Sequence, residues 1–261
     1  MALWNRRSNQ PKAHPQGVIF HALHKSASMF LFKLFFRLSK ERRMQFYSQN
    51  LKIRTNHLVT PEIDHDFCFG PIRHFKTHKI KFEPHVDVRR IFQLRDPRDI
   101  LVSEYFSFGW RHTENRFGEK EHLRREQIKN QTLDEFVLDE QGASYDLGTR
   151  LNELLRTSKK PGVTIVSYEQ MVNDFPSWLE RVMEPFGFAE SGLRSKKLLH
   201  LKYCWKYRKT FSADPRDKSH KRNVRPGEHR LKLKPATIRE LNRRFEPFRE
   251  FFDFDSDARA A

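Results

Sequence analysis

A chain of 261 residues is long enough to bury a substantial core, and no long Gly/Ser/Pro linker, low-complexity tract or internal repeat divides it. Its net charge of +17, from 50 Lys plus Arg against 33 Asp plus Glu, favours anionic partners: nucleotides, sulfated or phosphorylated substrates, nucleic acid or membrane surfaces. The only cysteines, Cys68 and Cys204, lie far apart, which argues against a disulfide scaffold and for a reducing compartment.

Residues 1–16 are polar and basic with no apolar signal core, and read as a flexible N-terminal segment ahead of one domain over 17–252, with 253–261 as a tail. Gly17 to Leu23 is a short apolar run that suits a buried strand. A helix from about Ala27 to Leu38 follows; Leu31, Leu34, Phe35 and Leu38 share one face, while Lys33 and Arg37 mark another. The greasiest run, Met29 to Phe36, is interrupted by Lys33 and too short to span a bilayer, so a soluble, cytoplasmic chain without a membrane span is expected. Ile72 to Lys76 is a weaker strand candidate and Arg89 to Leu94 a stronger one. Asp96-Pro97 then starts a helix, Asp capping free N–H groups and Pro suiting the first turn, that reaches about Trp110.

Phe117 to Thr132 is charged and forms a loop or exposed helix. Leu133 to Glu140 and Tyr145 to Thr157 have helical periodicity, and Val163 to Val166 is a compact strand after the Lys160-Pro161-Gly162 turn. Helices dominate through Tyr207, with Pro176 and Pro185 as starts or breaks. Lys209 to Lys234 is very basic without clear periodicity, and a last helix begins near Pro235 and turns Ile238, Leu241 and Phe245 toward the core. Strands alternating with helices predict a P-loop-like, three-layer α/β fold with a central, mostly parallel sheet flanked by helices. Ligands of such sheets bind at the carboxyl ends of the strands.

Two segments fall there. His24-Lys25-Ser26-Ala27-Ser28-Met29-Phe30 sits where a strand turns into a helix, with unpaired N–H groups, the positive helix end, the Lys25 charge and the Ser26 and Ser28 hydroxyls available to a phosphate. An ATP- or GTP-type P-loop needs glycines one and six residues before the lysine; His24 and Ile19 stand there instead. Arg95 ends the second strand, and its planar fork suits phosphate; Ser103 lies about two helical turns beyond Asp96, and Asp96 and Asp99 are assigned to capping and to the first helical turn. In Phe75-Lys76-Thr77-His78, His78 has the chemistry of a general base. His74 and His78 lack a third ligand, so no metal is expected. The Lys209 to Lys234 run reads as a nucleic-acid arm, a solvated loop or a ligand-covering loop.

In their order and register these segments resemble the sulfotransferases that use 3′-phosphoadenosine 5′-phosphosulfate (PAPS), the cytosolic type in particular. The first is similar to the loop P-K-S-G-T-T-W, with His24, Ala27 and Met29 in place of Pro, Gly and Thr. Arg95 to Ser103 fits R-D-P-x-D-x-x-x-S without a gap, Lys76-Thr77-His78 matches K-T-H, and Tyr168-Glu169 matches a Tyr-Glu pair after a strand. Arg222 to Arg230 parallels R-K-G-x-x-G-D-W-K, with Gly227 as the second Gly and Asn223 and Val224 as departures.

The resemblance implies that Lys25 contacts the bridging oxygen of the leaving group and that Ser26, Ala27, Ser28 and Met29 wrap the 5′-phosphosulfate. It places Phe30 and Tyr168 at the adenine, Arg95, Ser103 and Arg222 at the 3′-phosphate, His78 as the base and Lys76 beside the transferring group. The implied reaction is direct, in-line transfer of a sulfuryl group to a hydroxyl or amine of a small-molecule or glycan acceptor, without metal. Asn50 to Gly70, Phe106 to Thr132 and Leu198 to Phe211 are expected to line the acceptor pocket. Their aromatics (Phe67, Phe69, Trp110, Trp205) favour a phenol or steroid-like acceptor, and their cations a glycan. Outside the family, a nucleotide-dependent kinase would need a Walker loop and Mg²⁺ ligands that are not visible. A basic nucleic-acid-binding protein would show steep salt dependence.

Overall fold

The apolar runs assemble into one five-stranded, wholly parallel sheet: β1 (Gly17–Ala22), β2 (Gln45–Tyr47), β3 (Phe67–Ile72), β4 (Val88–Leu94) and β5 (Val163–Ser167), in spatial order β2-β3-β1-β4-β5. The computed structural model describes residues 16–48, 65–73, 87–111, 119–188 and 224–252. Parallel strands covered on both faces read as unbroken apolar runs rather than alternating ones. β1 and β3 follow that rule, each buried at all six positions. Gly70 is required where they approach: its φ is +148°, and a Cβ there would lie 2.5 Å from the Phe20 carbonyl oxygen.

The helices are α1 (Ser28–Glu41), α2 (Pro97–Phe106), α3 (Glu119–Lys129), α4 (Leu133–Leu138), α5 (Ala143–Ser158), α6 (Tyr168–Asn173), α7 (Phe175–Met183), α8 (Glu228–Lys232) and α9 (Pro235–Phe245). Successive residues of a strand point to opposite faces, so β4 feeds two cores. Ile91 joins Val18 and Phe20 of β1 under α1, α6 and α7, where Leu31, Leu34, Phe35 and Leu38 form the predicted buried stripe. Phe92 and Leu94 pack on the other face with Ile100 and Leu101 of α2, Leu147 and Leu151 of α5 and Leu241 and Phe245 of α9. The three layers expected from the alternation of strands and helices are therefore present.

Two elements, β3 and α2, differ in extent from expectation. The strand predicted at Ile72 to Lys76 ends at Ile72 and begins at Phe67; residues 74–76 lie outside the described residues. Gly70-Pro71 looks like a strand breaker, but β2 pairs with β3 only as far as Phe69, so Pro71 removes no ladder bond on that side. α2 stops at Phe106 and passes into a π-helical turn over Ser107–Arg111 rather than continuing to Trp110. Of the two forms expected for the charged stretch after Phe117, the structure shows the helix, α3, anchored by the buried Ile128. Among the described residues no helix is long and apolar enough to cross a membrane.

The first core holds one polar pair. Trp178 and Gln93 are both buried, and the indole Nε1–H donates to Gln93 Oε1 at 3.0 Å. Trp178→Phe leaves that oxygen without its donor, so unfolding free energy in urea is expected to fall by about 1–3 kcal/mol. Adding Gln93→Leu to the variant is expected to recover part of the loss.

Candidate active site

Strand register brings the critical loops together. Ala22 is paired with Gln93, and Leu94 with Ser167, so the chain leaves β1, β4 and β5 side by side at their carboxyl ends. The next residues are the His24–Phe30 loop, Arg95 and Tyr168.

The loop is tightly wound. Lys25 and Ala27 both have φ +64°, Ala27 at the N-cap of α1, and each L-residue in this region costs roughly 1–2 kcal/mol. Contacts within the site hold it. The Ser26 N–H and hydroxyl both donate to the Leu23 carbonyl, and Arg95 Nη1 donates to the Lys25 carbonyl at 2.8 Å. The buried Ser26 hydroxyl therefore shapes the loop instead of pointing outward as expected, because the left-handed residues on either side fold it back. The N–H groups of Ser28 and Met29 open the first turn of α1, where helix geometry supplies no partner. Ser28 is buried and Met29 is 57% exposed. Phe30, expected at the adenine, is buried in the core with ring centroids 6.2 Å from Phe175 and 6.0 Å from Trp178.

Arg95 is only 3% exposed. Its guanidinium lies 4.4 Å over the Tyr168 ring, and Nη2 is 3.9 Å from Asp99 Oδ2. Nε and Nη2 have no hydrogen-bond partner among the described residues. A buried guanidinium edge with open donors is a ready counterpart for an oxyanion. Ser103 lies half-buried two turns along α2.

Asp99 does far more than occupy a first helical turn. Its carboxylate accepts from the N–H groups of Gly227 (2.7 Å) and His229 (3.0 Å) and lies 2.7 Å from His229 Nδ1. Burial alone would raise its pKa, but the His229 hydrogen bond and the Arg95 charge bring it down to about 2. Gly227, with φ +84°, caps α8, and only a residue at ease in that conformation turns its N–H toward Asp99. From the other side, the Tyr168 hydroxyl donates to the Val224 carbonyl at 2.8 Å. The segment 224–229 is thus fastened to the Arg95 anchor at both ends.

Asp96 caps α2 as expected, accepting from the Arg98 N–H at 2.9 Å, and also receives the Arg98 guanidinium. Arg98 is fully buried and reaches Asn242 of α9 at 2.7 Å. The Asp96 N–H donates to Glu169 Oε1 at 3.0 Å. On the opposite flank, His24 Nδ1 lies 3.4 Å from Glu104 Oε1, and its ring stacks on Phe108.

His78, Lys76, Arg222 and Trp205 lie outside the described residues, as does Leu198 to Phe211. Phe67 and Phe69 do not line a pocket; β3 buries both in the sheet. Trp110 is 39% exposed beside Tyr105. Among the described residues no group of three His, Cys, Asp or Glu is arranged to hold a metal ion. The roles of Asp99, Glu104 and His229 were missed. One signal was available: α2 is buried almost all round, so its charged residues had to find partners.

Burial, reinforced by the Asp96 charge, pushes the Glu169 carboxyl up to about 7. The folded state thus keeps a proton that the unfolded chain releases near pH 4, and this group's contribution to stability declines as pH rises from there through 7. Glu169→Gln still accepts from the Asp96 N–H and has no charge to bury. Its stability relative to wild type is expected to increase between pH 5 and 8 in equilibrium denaturation; a constant difference would show an ordinary carboxyl.

A family model described as the sulfotransferase domain matches residues 72–251, from the end of β3 to the last described turn. No curated protein sequence matches. Among solved structures, mouse sulfotransferase SULT7A1 complexed with PAP has 15% identity and a TM-score of 0.56, covering 96% of this chain and 90% of that one. Retinol dehydratase in complex with retinol and PAP has 12% identity and a TM-score of 0.55, covering 92% and 83%. The same enzyme with androsterone and inactive cofactor PAP has 11% identity and a TM-score of 0.52, covering 92% and 82%. At these identities the structures speak for the fold, while the family match takes in Arg95, Asp99, Ser103, Tyr168 and Gly227. The chain belongs to the sulfotransferase family.

Proposed function

We propose that this sulfotransferase takes its sulfuryl group from PAPS and delivers it to a hydroxyl or amine of a small-molecule acceptor. The observation that carries this reading is Arg95: a buried guanidinium with two open donors that also holds the Lys25 carbonyl of the neighbouring loop. One group thereby links an anchor for a 3′-phosphate to a loop for the 5′ side. PAPS supplies a sulfuryl group already bonded to a phosphate leaving group. Arg95 and Ser103 hold the 3′-phosphate, with Arg222 covering it. Lys25 and the N–H groups of Ala27, Ser28 and Met29 stabilise negative charge on the 5′ side, while Ser26 keeps the loop in shape through Leu23. Donors fixed in advance of the reaction are usually the largest catalytic contribution. Tyr168 borders the adenine end with Phe30 in the core behind it, His78 takes the acceptor proton and Lys76 stands beside the transferring group. The androsterone and retinol held by retinol dehydratase favour a small, largely apolar alcohol as acceptor.

The test is a thermal-shift titration with 3′-phosphoadenosine 5′-phosphate (PAP), AMP, ADP and ATP without metal. PAP at 100 times its dissociation constant is expected to stabilise the protein by about 2.7 kcal/mol, with much smaller shifts from the others. Arg95→Lys keeps a charge but loses the fork, so its preference for PAP over AMP is expected to fall about tenfold or more. Equal shifts from all four nucleotides would overturn the reading. Ala27→Gly relieves the left-handed strain at the loop and is expected to raise unfolding free energy by about 0.5–1 kcal/mol. A loss of stability would mean that the Ala27 methyl packs usefully.

A further inference from the structure

We propose that His24, oriented by Glu104, is a second proton acceptor for sulfuryl transfer, acting beside His78. The inference rests on the PAPS reading above. His24 directly precedes Lys25 in the loop at the carboxyl end of β1. Three features hold it. Nδ1 is buried 3.4 Å from Glu104 Oε1, within ion-pair distance but without hydrogen-bond alignment; the ring stacks on Phe108 at 5.5 Å and 12°; and 26% of the side chain remains exposed.

Glu104 is the stronger clue. A buried carboxylate is expensive unless paired, and its one ion-pair partner among the described residues is His24. A carboxylate at Nδ1 favours the tautomer with its proton there, leaving Nε2 as a proton acceptor, and it stabilises the imidazolium formed afterwards. Glu104 is accordingly a positioning residue. Among the described residues, Arg124 of α3 brings a further charge close to the pair, its guanidinium 5.3 Å over the Phe108 ring.

The step balances simply. The acceptor O–H bond breaks and its proton passes to Nε2 of His24. The acceptor oxygen forms a bond to sulfur as the bond from sulfur to the phosphate oxygen breaks, and that electron pair leaves on PAP. Deprotonation of His24 to solvent resets the site. With two histidines able to take the proton, neither is indispensable alone.

The experiment uses full-length protein with ¹⁵N-labelled histidine, assigned through His24→Asn, an isostere that retains a donor toward Glu104 but has no Nε2. The His24 signal is expected in the Nδ1–H tautomer and to move on addition of PAP, and Glu104→Gln is expected to weaken that tautomer preference. With PAPS and 4-nitrophenol, His24→Asn is expected to lower kcat at least about tenfold and to move the acid limb of the pH profile, with PAP affinity unchanged. His78→Asn is expected to keep residual turnover that the double variant loses. An Nε2–H tautomer, a His24 signal indifferent to PAP, or an unchanged kcat and pH limb in His24→Asn would overturn the inference and leave PAPS use intact. Failure of PAP to bind wild type would overturn the donor reading, and this inference with it.

Discussion

The Asp99 carboxylate, buried on the first turn of α2, binds the active-site edge into one piece. It meets Arg95 from just beyond β4 and two backbone N–H groups and an imidazole from the segment around α8. Arg95 passes the connection on to the Lys25 carbonyl and to the Tyr168 ring, and Tyr168 returns it to Val224. Strands β1, β4 and β5 therefore hold their loops in place through one charged network. Replacing such a centre by an apolar residue would remove more than a single contact, since each buried partner would be left uncompensated.

Much of this was legible in local chemistry. The Asp-Pro start of α2, the apolar stripe of α1 and the short β-branched strand β5 follow from rules that act over a few residues, and all three are present. β3 lies at Phe67–Ile72, across Gly70-Pro71, instead of at Ile72 to Lys76; whether a proline breaks a strand depends on where the neighbouring strand ends, which local sequence does not state. The same distinction applies to the site. Lys25 and Arg95 could be picked out because a phosphate imposes particular residue types at a strand end. Glu104 and His229 could not, because their partners lie 80 and 130 positions away in the chain. Ser26 shows a third case: its residue type was right for a phosphate loop, but two left-handed neighbours turn its hydroxyl onto Leu23.

Charge is arranged on two scales. The surplus of +17 acts over the whole surface and draws anions inward. Near the site, acidic groups are matched to basic side chains: Asp96 to Arg98, Asp99 to Arg95 and His229, Glu104 to His24. These carboxylates fix the directions of the cations without cancelling the field around them, which suits an enzyme whose donor carries several negative charges.

The Asp99 to Gly227 and His229 bonds span 128 and 130 residues. A chain emerging from the ribosome can lay down β1, β4, β5 and most of both cores before those partners exist outside the exit tunnel. Completion of the nucleotide edge is consequently among the last events of biosynthesis. A chain cut short before Gly227 lacks both N–H groups and the imidazole that meet Asp99, leaving its buried carboxylate with Arg95 alone and marking incomplete molecules for unfolding.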